Sequence, residues 1–227
     1  MTIKDNVNEV RENMAKAALR AGRNPEDITL CAVSKYIEVP KIKEALEAGV
    51  TVLGENKVQE LVDKLPQFSE DVNFHMIGQL QTNKVKYIID KVKLIHSLDR
   101  KSLLKTLDKE AKKKNIISDT LIQVNLTSDP NRGGVSIEEL PEFVEDVGKY
   151  SSVRVRGLMC VAQNVDDENI IREDFRRMRL EFERLKLYNI SNVSGEILSM
   201  GMSHDYEIAI EEGATLVRVG TRIFGKR

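Results

Sequence analysis

Lys35 stands directly after a short apolar run, residues 29–34 (TLCAVS), which has the length and composition of a buried β-strand. A lysine at the point where a buried strand opens into a pocket can have a lowered pKa, because desolvation and nearby cations disfavour its charged form. Such an amine can form a Schiff base with a carbonyl compound. The position equally fits an ordinary strand-end lysine whose ammonium group reaches solvent, so both interpretations stay open.

Two glycine-containing segments could hold an anion. Residues 201–203 (GMS) lead into a predicted helix, and Gly220 and Thr221 follow the last strand-like run of the chain. Small residues let backbone N–H groups approach an anion closely, and a helix N-terminus adds a favourable dipole. The same residues also fit ordinary turn and capping chemistry, since Ser203 is a good N-cap residue.

Arg218 interrupts the apolar run of residues 216–219, where an unpaired guanidinium would be costly to bury. If the first and last strands are neighbours, Arg218 lies beside Lys35, lowers the pKa of that amine and can donate a hydrogen bond to the ring nitrogen of a ligand. Structural pairing with Glu55 or another strand-end carboxylate is the alternative. A lysine that captures an aldehyde, a phosphate cradle and an arginine together describe a site for pyridoxal 5′-phosphate (PLP).

The elements that must position these residues are short apolar runs alternating with longer helical segments. The eight predicted strands are residues 29–34, 51–53, 74–77, 94–97, 121–125, 153–159, 197–199 and 216–219. An extra helix over about residues 3–21 precedes the first of them. This alternation predicts an α/β fold, a single (β/α)8 TIM-type barrel domain over residues 1–227, whose function gathers at the carboxyl ends of the strands. A doubly wound open sheet is the competing fold.

Composition excludes several classes of function. Lys and Arg number 35 against 36 for Asp and Glu, so no overall charge attracts nucleic acid or anionic lipid. The charged N-terminus lacks the apolar segment of a signal peptide, and no run approaches the roughly 18 apolar residues that span a membrane. Cys31 and Cys160 lie far apart in β-like runs, which predicts two buried free thiols and no metal site. We therefore expect a cytoplasmic protein with neither nucleic-acid nor membrane partners.

Longer motifs resemble the pyridoxal phosphate homeostasis protein family. They are residues 32–35 (AVSK), 54–56 (GEN) with 59–60 (QE), 75–84 (HMIGQLQTNK), 156–159 (RGLM), 199–205 (SMGMSHD) and 217–225 (VRVGTRIFG). The similarity runs from about Leu30 to Gly225, so it covers most of the chain. It implies a barrel similar to the N-terminal domain of alanine racemase.

The resemblance implies a PLP site built by Lys35, Asn56, Met202, Ser203, Arg218, Gly220 and Thr221. In the family PLP is held as a covalent imine at the lysine that matches Lys35, and the two glycine-containing segments contact its phosphate. Arg218 is implied to face the pyridine nitrogen. An arginine there disfavours protonation of that nitrogen and weakens the cofactor as an electron sink. Arg132 departs from the pattern, because many members have a lysine at this position.

The family role implied is intracellular PLP homeostasis, in which PLP is stored reversibly and delivered to PLP-dependent client enzymes without robust catalysis by the protein itself. Alanine racemase uses a second, β-rich domain that contributes a tyrosine base, and after Gly225 only two residues remain. Tyr36 is expected to point away from Lys35 and to pack on the outside of the barrel.

Two alternative functions and the oligomeric state complete the expectations. A single-domain PLP-dependent amino-acid racemase is the enzymatic alternative. A phosphate-sugar isomerase on the same barrel would need a paired Glu and His at the strand ends, where His96 is expected to be a buried, hydrogen-bonded imidazole. We also expect a monomer, because the sequence predicts no extended apolar face that would remain exposed for a second copy to cover.

Overall fold

The computed structural model describes residues 2–127, 132–163 and 165–225. The strands found there are β1 Thr29–Val33, β2 Val52–Glu55, β3 Asn73–Met76, β4 Leu94–Leu98, β5 Ser118–Asn125, β6 Val135–Ser136, β7 Val153–Met159, β8 Val193–Ser199 and β9 Leu216–Val219. The α-helices are α1 Ile3–Arg20, α2 Val39–Glu47, α3 Val58–Lys64, α4 Lys101–Lys114, α5 Leu140–Val147, α6 Glu168–Leu185, α7 Tyr206–Glu211 and α8 Thr221–Phe224. Short 3-10 helices span Pro25–Asp27, Leu65–Gln67 and Thr82–Tyr87.

Eight of these strands close into a parallel barrel. Their order around the ring is β1, β2, β3, β4, β5, β7, β8 and β9, and β9 pairs with β1 to complete it. The two-residue strand β6 pairs with the last residues of β5 and was not predicted. Because a closed ring has no edge strands, the open-sheet alternative is wrong and the TIM-type prediction is confirmed.

Both faces of the barrel strands are buried, which explains their continuous apolar runs. Side chains such as Ala32 and Leu53 face outward into the core shared with the helices. Alternate residues form small apolar clusters inside the barrel; one contains Cys31, Val52 and Leu216. Most strand positions are therefore apolar on both faces, with a few buried polar side chains such as His96 and Arg218 inside the barrel.

The predicted strand boundaries fail where the amino-terminal half of a strand is polar. β5 begins three residues earlier than predicted and β8 four residues earlier. Those added halves carry Asp119 and Glu196, which both form ion pairs with Arg156 of β7. Because these charges are paired with each other across strands, the polar residues fit within the sheet although they hide the apolar pattern.

The predicted helix over about residues 3–21 is confirmed as α1, and its packing gives it a definite role. Helix α8 is only four residues long, and α1 packs against α2, α7 and α8. Asn6 Nδ2 donates to the Ile223 carbonyl at 2.8 Å, and Arg11 Nη1 donates to the Ala48 carbonyl at 3.1 Å. Helix α1 thus completes the helical layer where α8 is too short. Across the described ranges, the structure contains no helix with the length and apolar character needed to cross a membrane.

Candidate functional site

The pairing of β1 with β9 brings the predicted site residues to the carboxyl end of the barrel. Ala32 lies opposite Val219 in this pair, and the next residue, Gly220, is so close to β1 that a Cβ atom on it would lie 3.3 Å from Cβ and O of Val33. Lys35 lies two residues after Val33 and is half-buried in the turn after β1. The expected proximity of the first and last strands is therefore confirmed.

Ser203 joins the loop after β8 to the end of β9. Its buried Oγ accepts a hydrogen bond from the Gly220 N–H at 3.1 Å. Thr221 starts α8 directly afterwards, and the first N–H groups of a helix have no acceptor within that helix. Two hydroxyls, backbone N–H groups and a nearby lysine are a donor set that suits a phosphorylated aldehyde. Glycine at position 220 lets the end of β9 pack closely against Val33 of β1, which keeps these donors together, so the residues fit PLP.

The loop after β8, residues 200–205, is held in shape by a buried carboxylate. Gly201 has φ +89°, and a Cβ on it would lie 2.5 Å from Cβ of Ala209, so the position requires glycine. Asp205 Oδ1 accepts the Met202 N–H at 2.5 Å. Burial raises the pKa of the Asp205 carboxyl. Because the Met202 N–H is engaged within the loop, a contact from Met202 to a phosphate stays a prediction. The hydrogen bond to Asp205 within this loop was not predicted from the sequence.

Arg218 is 4% exposed and points into the barrel. Its Nη1 donates to Ser199 Oγ at 2.5 Å, and its Nη2 donates to the Cys160 carbonyl at 2.8 Å. Pairing with Glu55, the alternative raised above, is wrong, because Glu55 bonds to other residues. Burial lowers the pKa of the guanidinium from its ordinary value, while the Asp205 carboxylate opposes that shift. The pKa of arginine is so high that the side chain stays cationic.

A buried cluster behind the Lys35 turn was missed by sequence analysis. Lys64 Nζ donates to the Ser34 carbonyl, to Glu55 Oε1 and to Glu60 Oε1, each at 2.7 Å. The Tyr36 N–H also donates to Glu60 Oε1, and Tyr36 has the left-handed φ of +61°. The residues on both sides of Lys35 are therefore held by the same cluster. The available sequence signal was the i,i+4 spacing of Glu60 and Lys64.

Tyr36 itself does not pack on the outside of the barrel as predicted. Its side chain is 57% exposed, and Lys57 Nζ lies 5.0 Å from the centre of its ring. A hydrogen bond from Lys57 lowers the pKa of the Tyr36 hydroxyl. The tyrosine next to Lys35 is thus paired with another lysine at the surface.

Asn56 follows β2 and is half-buried beside the loop after β3. A Cβ on Gly78 would lie 2.2 Å from the Asn56 carbonyl oxygen, so only glycine lets the two backbones pack this closely. The glycine of the motif at residues 75–84 therefore fixes the backbone of a predicted site residue. The contact between Asn56 and a cofactor stays a prediction.

Two histidines and a serine fill the barrel interior beside Arg218. His75 Nδ1 lies 3.0 Å from His96 Nε2, and His96 Nδ1 lies 3.1 Å from Ser199 Oγ. The prediction that His96 is a buried, hydrogen-bonded imidazole is confirmed. No described carboxylate is hydrogen-bonded to it, so the Glu–His pair that an isomerase would need is not formed within the described ranges. Roles for His75 and Ser199 were not predicted from the sequence.

Both cysteines are free and fully buried, which confirms the prediction of buried thiols. Burial raises the pKa of Cys31 and of Cys160 to about 12, so neither thiol forms a thiolate near neutral pH. In the part of the chain that the structure describes, no group of three or more His, Cys, Asp or Glu side chains could hold a metal ion.

Arg132 lies at the mouth of the barrel after β5. Its Nη2 donates to the Ala162 carbonyl at 3.4 Å, and Nη1 is buried without a hydrogen-bond partner among the described residues. A cavity of about 220 Å³ adjoins it, lined by Gln123, Asn125 and Val161 among others. The departure from the family lysine therefore keeps a positive charge at the mouth.

Comparison with known proteins gives a consistent picture. The family model "Alanine racemase, N-terminal domain" matches residues 5–227. A relative from Aquifex aeolicus named "Pyridoxal phosphate homeostasis protein" is 44% identical over 225 residues, which are 98% of this chain and 97% of the relative. The structure of PipY from Synechococcus elongatus with PLP bound has a TM-score of 0.82 and 32% identity, and the match covers 95% of this chain and all of that chain. Alanine racemase from Streptomyces coelicolor shares the fold, with a TM-score of 0.73 at 17% identity over 99% of this chain and 58% of that one.

Proposed function

The chain belongs to the pyridoxal phosphate homeostasis protein family, and from this premise we propose that it binds PLP reversibly, storing and delivering it without robust catalysis of its own. One observation carries the proposal. The β1–β9 pairing brings Lys35 and Gly220 to one end of the barrel, where Gly220 is hydrogen-bonded to Ser203 and Arg218 is buried two residues earlier in β9. The relative with PLP bound supports the same ligand for this chain.

Each site residue has a proposed part. When bound, PLP would supply an aldehyde, and Lys35 would hold it through its amine. Ser203 and Thr221 donate hydroxyl hydrogen bonds to the phosphate, and the backbone at Gly220 approaches it closely. The remaining proposed contacts are a guanidinium hydrogen bond from Arg218 to the ring nitrogen and contacts from Asn56 and Met202.

The proposal of binding without turnover rests on Arg218 and on Tyr36. A guanidinium donating to the ring nitrogen keeps that nitrogen unprotonated, which reduces the capacity of the ring to accept electrons from a substrate carbanion. Tyr36, the tyrosine nearest to Lys35 in sequence, is exposed and paired with Lys57. This placement does not suit a proton-transferring base at the site.

We propose three further properties. Residues 1–227 act as a single PLP-binding domain, which the family match over residues 5–227 supports. The protein works in the cytoplasm, which the two buried free thiols support because reducing compartments preserve them. It acts as a monomer that passes PLP to client enzymes. In support, the described exposed hydrophobic side chains, such as Leu19 in α1 and Leu187 after α6, lie in separate parts of the chain.

The test is reconstitution of the purified protein with PLP, followed by borohydride reduction and peptide mass analysis. We expect visible colour and a pyridoxyl adduct on Lys35, both lost in Lys35→Ala and both kept in Lys41→Ala, a variant of an exposed lysine in α2. Colour and adduct that survive Lys35→Ala unchanged would refute the assignment. Sustained α-proton exchange of amino acids that depends on Lys35 would refute the non-catalytic role and favour the racemase.

A further inference from the structure

A continuous chain of hydrogen bonds crosses the barrel interior from β3 to β9. It runs from His75 to His96 at 3.0 Å, from His96 to Ser199 at 3.1 Å, and from Ser199 to Arg218 at 2.5 Å. All four side chains are buried, and none is more than 6% exposed. We call these four residues the interior chain. Such a polar set is unusual inside a TIM-type barrel, where bulky branched apolar residues usually fill the interior.

The chemistry of the groups fixes the direction of these hydrogen bonds. A guanidinium can only donate, so Ser199 Oγ accepts from Arg218. Among the described residues, the remaining partner of the Ser199 hydroxyl is His96 Nδ1, so its hydrogen is donated there. A neutral imidazole that accepts at Nδ1 carries its hydrogen on Nε2, and His96 Nε2–H therefore donates to His75 Nδ1. By the same logic His75 carries its hydrogen on Nε2.

The two ends of the interior chain lie at opposite ends of the barrel. His75 borders a cavity of about 440 Å³ that is also lined by Thr29, Asn73 and Leu216, from the amino-terminal ends of their strands. Arg218 lies toward the carboxyl end, where Lys35 and Gly220 are placed. Charged side chains lining the amino-terminal cavity are Asp27, Lys93, Asp119, Arg156 and Glu196. The titratable groups near Arg218 are His96, Asp205, Cys31 and Cys160, and both thiols are neutral near pH 7.

The interior chain carries a single charge. Burial lowers the pKa of His75 to about 4, and it lowers the pKa of His96 well below its ordinary value, an effect that Arg218 reinforces. Both imidazoles are therefore neutral near pH 7, and Arg218 is the cation. Neutral groups anchored to β3, β4 and β8 hold the guanidinium from one side, and the Cys160 carbonyl holds Nη2.

We infer that His75, His96 and Ser199 are positioning residues that hold the Arg218 guanidinium in one orientation toward the ring nitrogen of PLP. This inference rests on the proposed function, since it takes the ligand of Arg218 to be that ring. A guanidinium can only donate, and one fixed from behind cannot turn away from a ring nitrogen that has become protonated, so the interior chain sets the pH at which the bound cofactor takes up a proton. Removing the Ser199 hydroxyl leaves an Arg218 N–H without its acceptor and frees that orientation.

The test uses Ser199→Ala and His96→Leu, with Ser199→Thr as the conservative variant that keeps the hydroxyl. For each PLP-loaded protein, the visible absorption spectrum is titrated with pH and the dissociation constant for PLP is measured. We expect Ser199→Ala and His96→Leu to shift the spectral midpoint by about one pH unit or more and to weaken PLP binding about tenfold. Ser199→Thr is expected to stay near the wild type.

Two controls separate the possible failures. The borohydride adduct on Lys35 must form in the wild type and in Ser199→Ala. Its absence from the wild type contradicts the proposed function. If the adduct forms but Ser199→Ala leaves the spectral midpoint and the PLP dissociation constant unchanged, only the role of the interior chain is contradicted. Nitrogen NMR of the histidine side chains without PLP gives an independent readout, because we expect hydrogen on Nε2 of His75 and His96 and a change at His96 in Ser199→Ala. Hydrogen on Nδ1 of His96 would overturn the inference. Should His96→Leu fail to fold, Ser199→Ala decides, since it removes a single atom.

Discussion

At the scale of single residues, the turn that carries Lys35 depends on a buried ion pair rather than on Lys35 itself. Lys64 and Glu55 bond at 2.7 Å, with side chains 9% and 0% exposed. Glu55 Oε2 is buried without a hydrogen-bond partner among the described residues. Burial raises the pKa of the Glu55 carboxyl, although hydrogen bonds from Lys64 and Ser34 favour its charged form. Such a pair contributes little beyond an apolar replacement, but removing one partner leaves a costly charge.

Lys64→Met is therefore expected to lower the free energy of unfolding by about 3–5 kcal/mol and to weaken PLP binding, because the Ser34 carbonyl loses one of its two donors and keeps only the Ile37 N–H. The deficit should grow as pH rises above the ordinary glutamate pKa, since a raised pKa in the folded state favours the protonated form and opposes ionisation of Glu55. Denaturant titrations at about pH 5 and about pH 7 measure this. Lys16→Met, in an exposed helical pair with Glu12, is the matched control and should leave stability unchanged. Equal effects of the two substitutions would contradict a clamping role for Lys64.

Residue types alone pointed to the proposed site residues whose chemistry is unusual for their position. A lysine at a strand end, an arginine inside an apolar run and a glycine–threonine pair after the last strand are visible in one sequence. Lys64, Ser199 and His75 were not identified, because each acquires a role only from a partner that the fold brings close. Ser199 ends an apolar strand and touches an arginine 19 positions away. Pairing at this distance has no local signal.

At the scale of elements, the short helix α8 depends on α1. A four-residue helix has too few internal hydrogen bonds to be stable alone, so its position must come from contacts. Helix α1 supplies one through the hydrogen bond from Asn6 to the Ile223 carbonyl at 2.8 Å. Since α8 begins with Thr221, the N-terminal helix also positions the proposed phosphate contact.

Asn6→Ala is expected to cost about 1 kcal/mol of stability and to weaken PLP binding several-fold, because α8 loses an anchor. Thermal or denaturant unfolding gives the first quantity and a fluorescence titration with PLP the second. Glu9→Ala, on an exposed position of the same helix, serves as the control and should change neither. Loss of stability with unchanged PLP affinity would show that α1 supports the barrel but not the site.

The accuracy of the predicted elements follows the same physical rule. β7 and β9 were predicted to the residue, because valines next to their arginines carry the apolar pattern through the strand. β5 and β8 were predicted too short, since charged residues at their starts are neutralised only by cross-strand partners. The two-residue strand β6 depends on its pairing with β5 and has no pattern of its own. Closure of the ring was predicted from the number of strands, whereas the role of α1 in covering α8 was not.

At the scale of the whole molecule, the barrel interior contains both apolar clusters and one polar set of side chains. One interior cluster joins Leu94, Leu121 and Met159, and another contains Cys31 and its neighbours. The interior chain lies among these apolar layers and holds two of the three histidines of the protein. Neutral imidazoles in such a place link the stability of the entire fold to pH.

The sign of this link follows from the direction of the pKa shift. Burial lowers the pKa of His75 to about 4, below the ordinary value of 6.5, so the unfolded chain binds more protons below pH 6.5 than the folded protein does. The stabilising contribution of the neutral imidazole is complete above about pH 6.5 and is lost as pH falls toward 4. The raised pKa values of Asp205 and Glu55 act in the opposite direction over part of this range. A comparison of variants that all keep Asp205 and Glu55 therefore isolates the contribution of His75 to the pH dependence of stability.

We expect the wild type to lose about 2 kcal/mol of stability through His75 alone between about pH 6.5 and pH 5, since each unit of separation between the two pKa values corresponds to about 1.4 kcal/mol. His75→Gln removes this titration, so its free energy of unfolding should depend less steeply on pH than that of the wild type. His204→Gln, at the exposed third histidine, should follow the wild type at every pH. Denaturant unfolding of the three proteins across this range decides the matter. Parallel curves for the wild type and His75→Gln would mean that the His75 imidazole is not held neutral in the folded barrel, and with it the donor direction assigned to the interior chain would fail.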